Sequence, residues 1–178
     1  GTQAFYICGA ETPEGASVGV VKNLALSCHI TSYSDIAPVA NIIESLGVIK
    51  IEDAEPSDIK SHTKILINGC WHYVTSKPKF TIDNLLSLRR EGIIHLHTAI
   101  VWKINDQCIE LYTDAGRCTR PLYIVNNNKL LIDGDILNKV KNNKLNWNNL
   151  LMGNSTTHNY ECNSVIEFID VQEEDNCM

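Results

Sequence analysis

The chain has 178 residues, of which 44% are hydrophobic and 20% charged, and a formal net charge of −6. These proportions fit one globular domain of ordinary size or two small ones, and they exclude a collagen, a coiled-coil rod or a mostly disordered tail. The acidic balance argues against a free-standing nucleic-acid binder, whose footprint is basic, but it leaves room for a piece of a larger machine whose basic channel lies elsewhere. No apolar run approaches the ~20 residues that span a bilayer, and the opening residues lack the basic-then-apolar pattern of a secretion signal.

Seven cysteines are scattered along the chain: Cys8, Cys28, Cys70, Cys108, Cys118, Cys162 and Cys177. Their number is odd and no C-x-x-C pair occurs, so neither a disulfide framework nor a zinc ribbon is indicated. They read as reduced thiols of an intracellular protein, mostly small apolar side chains in strands or cores.

The chain opens Gly1-Thr2-Gln3 and runs directly into Ala4-Phe5-Tyr6-Ile7-Cys8; near its other end stands the strand-like run Val165 to Ile169. The expectation is an internal segment of a longer polypeptide. Residues 9–17 carry Gly, Thr, Pro, Glu and Ser and read as a loop. Val18 to Ile30 is apolar and β-branched, either a strand or a buried turn of helix. Asp35 to Leu46 reads as a helix with Pro38 in its first turn, Ile42, Ile43 and Leu46 on one face, and Gly47 as the stop. Residues 52–63 read as an acidic, polar loop. From Lys64 to Val74, two β-prone runs flank Asn68-Gly69, the pair that favours a type I′ hairpin turn.

Thr81 to Glu91 reads as a second helix, with Thr81 as N-cap and Gly92 as stop. His97 to Ile104 and Gln107 to Tyr112 form a second hairpin around Asn105-Asp106, and Pro121 to Val125 is a further strand. Between Asn126 and Asn163, twelve of 38 residues are Asn, so the segment reads as loop-rich. Two short helices interrupt it, Asp135 to Asn142 and Trp147 to Met152, the second stopped by Gly153. Hairpins with a few short helices make the fold class α+β, with mixed sheets. Glu173-Glu174-Asp175 reads as a solvated acidic tail.

Several candidate sites are weak on their own residues. His95 and His97 lie two apart, as do Cys70 and His72. Metal binding or Cys–His catalysis would need a third group that nothing in the sequence marks. Gly15 to Gly19 followed by Lys22 has the wrong spacing for a phosphate loop. Asp133-Gly134-Asp135 has two carboxylates for a divalent ion, but reads better as a turn with a helix N-cap. Trp71, Trp102 and Trp147 read as core or interface anchors.

The informative stretch is Cys8-Gly-Ala-Glu11-Thr12-Pro13-Glu14-Gly15-Ala-Ser-Val-Gly19-Val-Val-Lys22-Asn23-Leu24. Pro13 stiffens it, Gly15 and Gly19 permit a tight backbone, and Glu11 and Glu14 place two carboxylates on a rigid loop. It resembles the fork-region signature C-P-A-E-T-P-E-G-x-x-x-G-L-V-K-N-L of the second-largest subunit of multisubunit DNA-directed RNA polymerases. The resemblance continues through Ile67-Asn68-Gly69-Cys70-Trp71-His72, Leu88-Arg89-Arg90-Glu91-Gly92, Thr113-Asp114-Ala115-Gly116-Arg117-Cys118-Thr119-Arg120-Pro121-Leu122-Tyr123-Ile124-Val125 and Ile166-Glu167-Phe168-Ile169-Asp170. It covers nearly the whole chain, weakest over 126–163, and is of the eukaryotic and archaeal type. The sequence departs from the pattern at Gly9, where the family has Pro, at Ala16, often Gln in eukaryotic enzymes, and at Ala4-Phe5, where a Trp-Gly pair is usual.

The resemblance implies an organisation and a role. Residues 1–28 would end the fork region, 29–95 would match the first external domain, and 96–178 the start of the second. The fork loop would lie beside the RNA–DNA hybrid, with Glu14 as the main active-centre contact and Glu11, Gly15 and Lys22 at matching motif positions. Asp114, Gly116, Arg117 and Arg120 would be structural. Catalysis, a nucleotidyl transfer, would belong to the full assembly; Mg2+ and a zinc would be bound elsewhere in it, and none in this chain. Partners would be the largest subunit and other polymerase subunits, with template DNA and RNA, and no membrane. The location would be intracellular, in the nucleus, or in cytoplasm or virion if the source is viral. The rival reading is a free-standing interaction module or split-gene product derived from such a subunit. A small Cys–His hydrolase built on Cys70 and His72 is the third.

Overall fold

The computed structural model describes residues 3–152 and 164–177. In chain order its elements are β1 (His29–Ile30), α1 (Ile36–Ser45), β2 (Ile49–Lys50), α2 (Pro56–Ser61), β3 (Thr63–Ile67), β4 (Cys70–Thr75), α3 (Pro78–Arg90), β5 (Ala99–Lys103), β6 (Cys108–Tyr112), β7 (Cys118–Tyr123), β8 (Val125–Asn126), β9 (Lys129–Leu130), α4 (Gly134–Lys141), α5 (Trp147–Met152), β10 (Ile166–Asp170) and α6 (Val171–Asn176). The α+β class holds. Cys162 and the expected stop at Gly153 lie outside the described residues.

Two sheets carry the body. The larger has the strand order β2-β4-β3-β6-β5, and only its β3–β6 pair is parallel. Its strands come from both sides of residue 95. Thr63, Ile65 and Ile67 alternate inward along β3, as a period of two requires. With Tyr73, Ile100, Ile109 and Leu111, Ile65 and Ile67 pack against Val39 and Ile43 of α1 and Ile82 and Leu85 of α3. The smaller sheet has the order β1-β7-β10, with both pairs antiparallel. Ile166 and Phe168 of β10 meet Leu150 and Leu151 of α5, with Ile136 and Val140 of α4 packed against them.

Local chemistry explains where the elements begin and end. The Asp35 side chain accepts the Ala37 N–H and caps α1, and Gly47 follows at φ +76°. Asn68 and Gly69 both have positive φ, 48° and 83°, as a type I′ turn demands. In the second hairpin the positive φ falls on Gln107, one residue beyond Asn105-Asp106.

Three expectations are corrected here, and two of them turn on proline. Residues 52–63 are not all loop: Pro56 occupies the first turn of α2, and Glu55 and Asp58 form a capping box around it. The second helix starts at Pro78 rather than at Thr81, with Lys77 in the cap position. Thr81 lies inside that helix, buried, and its hydroxyl donates back to the Lys77 carbonyl at 3.1 Å. The third concerns Val18 to Ile30, which is neither strand nor buried helix. Apart from the two residues of β1 it is turns and a single bridge between Ile7 and Leu24, with Val18, Val20, Val21, Leu24 and Leu26 exposed. Of the six cysteines described, all free, Cys70, Cys108 and Cys118 lie in strands, and only Cys108 is buried.

Candidate functional site

Residues 9–27 form a loop on a narrow base. The base is closed by the Cys8 N–H donating to the Asn23 carbonyl at 2.8 Å and the Ala25 N–H donating to the Tyr6 carbonyl at 3.0 Å. Inside the loop the Gly19 N–H donates to the Thr12 hydroxyl at 2.9 Å, and the Asn23 side chain donates to the Glu11 carbonyl at 3.3 Å. Gly15 and Gly19 stand at φ +95° and +74°, a region where only glycine sits without strain. Glu11, Glu14, Gly15 and Lys22 are all exposed. Among the described residues, no ion pair takes up Glu11, Glu14 or Lys22. The loop therefore offers two free carboxylates and an ammonium on a backbone held by its own turns.

The segment carrying this loop is fastened to the body at two places. At one, Thr31 is buried against the 114–117 turn: its N–H donates to the Arg117 carbonyl at 2.9 Å, its carbonyl accepts from the Gly116 N–H at 3.0 Å, and its hydroxyl accepts from the Arg117 N–H at 3.0 Å. At the other, Tyr6 is buried and its hydroxyl donates to Glu174 Oε2 at 2.6 Å, while the Arg120 guanidinium lies 4.7 Å from the Phe5 ring centre and 5.8 Å from that of Tyr6.

The body's arginines all turn to one acidic segment, residues 167–174. The chain has four arginines, and each is ion-paired to a carboxylate between 167 and 174. Arg89, 3% exposed, grips Glu173 with both terminal nitrogens, at 2.8 and 2.7 Å, and reaches Glu167 at 3.0 Å. Arg90 spans both Glu167 oxygens with Nε and Nη2, at 3.1 and 2.9 Å, sharing Oε2 with Arg89. Arg117 joins Asp170 at 2.8 Å and Asp114 at 2.9 Å, and donates to the His97 and Tyr112 carbonyls. Arg120 holds Glu174 through Nε and Nη2.

Burial alone would push the Arg89 guanidinium down, but Glu173 and Glu167 more than reverse that and hold it above its ordinary value. Burial also works to raise Glu167; the hydrogen bond from Arg90 and the charge of Arg89 outweigh it and leave that carboxyl low. In Glu173 burial wins, and the carboxyl is raised despite Arg89 and the Ile100 N–H. The hydrogen bond from Arg120 leads in lowering Glu174.

This overturns the expectation of a solvated acidic tail. Residues 171–176 are α6; Glu173 is 3% exposed, and Glu174 is partly buried between Arg120 and Tyr6. Sequence reasoning missed this arginine–carboxylate lattice because it read residues 173–175 as solvated and looked for no distant partner for the arginines. The available signal was the arithmetic itself: four arginines in family motifs, and four carboxylates clustered between 167 and 174.

The other candidates come to less. His95 and His97 do meet, with ring centres 5.1 Å apart, and His29 joins at 4.8 Å from His97. The His97 ring accepts the Ser32 N–H at 3.2 Å. Burial, then the neighbouring His29, His95 and Arg117, lower His97 to about 4. Cys70 and His72 are both exposed on β4. Asp133 caps α4, accepting the Ile136 N–H at 2.9 Å. Among the described residues no group of three or more His, Cys, Asp or Glu side chains is placed to hold a metal ion. Trp147 stands half exposed, while Trp102 packs against the larger core. No helix among the described residues is long and apolar enough to cross a membrane.

Comparison with known proteins bears on the loop and on the arginine segments together. The model of RNA polymerase Rpb2 domain 3 matches residues 1–30, and that of RNA polymerase Rpb2 domain 4 matches residues 65–126. The chain belongs to the RNA polymerase Rpb2 family. RNA polymerase II subunit RPB2 of Encephalitozoon cuniculi is 37% identical over 97% of this chain, and RNA polymerase II subunit 2 of Arabidopsis thaliana 36% over 99%. The archaeal subunit Rpo2 of Sulfolobus acidocaldarius is 30% identical over 99% of this chain. The chain spans 14% of the length of the first two relatives and 16% of the third. The Rpb2 domain 3 match contains the loop, and the domain 4 match contains all four arginines.

Proposed function

We propose that this chain is a stretch of the second-largest subunit of a DNA-directed RNA polymerase and serves DNA-templated transcription. It works with the largest subunit and other polymerase subunits, on template DNA and nascent RNA, in the nucleus. Nucleotidyl transfer belongs to that assembly. The chain supplies scaffold, through its two sheets and the arginine–carboxylate lattice, and one face of the active-centre wall, through residues 9–27. The observation that supports this most directly is the pair of family matches in chain order, the first covering the exposed loop. An exposed carboxylate on a rigid loop is suited to meet a basic group at the hybrid or on the neighbouring subunit.

Substituting Glu14 in the assembled polymerase tests the role of the loop. A charge-assisted hydrogen bond is worth about 1.5–3 kcal/mol, so Glu14→Ala is expected to slow elongation by about tenfold or more while assembly stays normal. Unaltered elongation rate and fidelity with normal assembly would remove Glu14 from the active centre.

A further inference from the structure

We infer that Arg120 seats the Glu11–Lys22 loop, acting as a positioning residue that sets where the Glu14 carboxylate stands. The inference rests on the reading of that loop as active-centre wall. It follows from how differently the loop segment's two anchors are built.

The anchor at Thr31 is mainly backbone. Thr31 exchanges hydrogen bonds with the main chain of Asp114, Gly116 and Arg117, and His29 and Ile30 pair with Thr119 and Cys118 of β7. Side-chain substitution at Arg117 leaves those main-chain partners in place. The anchor at the loop's base depends on side chains. Phe5 and Tyr6 reach the body through the Arg120 guanidinium under their rings and through Glu174, which Arg120 itself holds. Phe5 stands at φ +66°, a strained conformation for an aromatic residue, which persists only where its surroundings over-determine it.

Around that base run the Ile7–Leu24 bridge, the Cys8 N–H bond to Asn23, the Ala25 N–H bond to Tyr6 and the Ser27 hydroxyl bond to the Phe5 carbonyl. They tie the two stems of the loop to each other. The stems meet the body's side chains through Phe5 and Tyr6. With Arg120 gone, the stems lose the seat that holds them in register, the hydrogen bonds between them open more often, and the segment is free to swing about the Thr31 anchor. The geometry thus links the second arginine of the Asp114–Arg120 motif to the position of a glutamate more than a hundred residues earlier.

The test uses the assembled polymerase containing this chain, read by amide hydrogen exchange and by elongation rate. Arg120→Ala is expected to speed exchange at the Cys8 and Ala25 amides by about ten- to hundredfold, the change that losing charge-assisted hydrogen bonds makes in a local opening equilibrium, with the Thr31 amide unchanged. Elongation slows in the direction that Glu14→Ala slows it, and the double variant is no slower than the slower single one, because both act through one carboxylate. Arg120→Lys, which keeps the ion pair with Glu174, restores part of both signals. If Arg120→Ala loosens β7 as a whole, Tyr6→Phe, which removes one hydroxyl and keeps the ring, is expected to raise exchange at Cys8 and Ala25 alone.

Unchanged exchange at Cys8 and Ala25 in Arg120→Ala would overturn the seating role. An elongation defect that adds in full to that of Glu14→Ala would overturn the link to the carboxylate. A silent Glu14→Ala would instead sink the reading of the loop, while the exchange measurement still decided whether Arg120 seats it.

Discussion

Residues 9–27 and residues 164–177 both carry acids and apolar side chains, and the chain treats them in opposite ways. Between 164 and 177, Val165, Ile166, Phe168 and Ile169 are buried, and Glu167, Asp170, Glu173 and Glu174 each meet an arginine. Between 9 and 27, Val18, Val20, Val21, Leu24 and Leu26 are exposed, and Glu11 and Glu14 meet none. A carboxylate is worth burying only where surrounding structure fixes its partner, since desolvating the pair costs several kcal/mol that geometry must return. The smaller sheet supplies that fixity to β10 and α6. The loop has nothing of the kind beneath it, so its charges and apolar groups are left for something outside the described residues.

The largest expected effect breaks the buried side of this contrast. Arg89→Ala leaves Glu173 buried without its cation, while Glu167 keeps Arg90, a loss of about 3–5 kcal/mol. Urea unfolding of the 178-residue chain would measure it. Replacing the pair together, by Arg89→Met with Glu173→Leu, is expected to cost much less, because no buried charge is then left without a partner. A small loss for Arg89→Ala alone would mean that water reaches the lattice and that the two regions differ less than their burial indicates.

Acid sharpens the contrast in two separable windows. The unfolded chain protonates His97 near pH 6.5 and the folded chain only near 4. Unfolded chains therefore bind more protons in that interval, and stability falls as pH falls across it. His97→Gln should flatten that slope. Glu167 and Glu174 have lowered folded values, so the stability they contribute is present above about pH 4.3, the ordinary value, and is lost as pH falls through their folded values. Glu173, raised by burial, works the other way, since its ionisation opposes folding. Unfolding free energy measured from pH 7 to 3 should show both declines, and Glu167→Gln should weaken only the lower one. A slope above pH 5 that survives His97→Gln would assign it to another group.

How much of this was legible in the sequence follows the range of the interactions. Helix α1, the two hairpins and β10 rest on local periodicity and turn chemistry, which Asp35, Gly47 and Asn68-Gly69 announce. Helix α2 and the start of α3 are equally local but hinge on proline: Pro56 and Pro78 mark first turns, where the missing N–H costs nothing. Val18 to Ile30 misleads because apolar content predicts burial only when a surface is present to receive it. The lattice is hidden for a different reason. Its partners lie 84 residues apart in Arg89–Glu173, 53 in Arg117–Asp170 and 54 in Arg120–Glu174, beyond any sequence periodicity. The family signature locates the loop and the arginines, but nothing local says that they touch.

A smaller effect is expected where the two regions join. Gly116 stands at φ +87° with open space around the position a Cβ would take. Gly116→Ala therefore meets backbone strain without a clash, about 1–2 kcal/mol. Its N–H donates to the Thr31 carbonyl, so the strain falls on the backbone anchor. Faster exchange at Thr31 in this variant, with Cys8 and Ala25 unchanged, would separate that anchor from the one at Arg120. Equal changes at all three would make the anchors a single unit.

The smallest expected effect tests the exposed side. Leu26 is fully exposed, so its folded and unfolded environments are nearly alike, and Leu26→Asn removes no packing. The stability of the chain should change by less than about 0.5 kcal/mol, the range of ordinary surface substitutions. The same change should lower the yield of assembled polymerase if Leu26, with its exposed neighbours Val20 and Leu24, packs on other parts of the enzyme, because an apolar contact is then exchanged for a polar side chain that must be desolvated. The two measurements have to diverge. A loss above 1 kcal/mol in the chain by itself would place Leu26 in a local core. No loss in either would leave its exposure without a partner to explain it, and the contrast with residues 164–177 would then rest on the carboxylates alone.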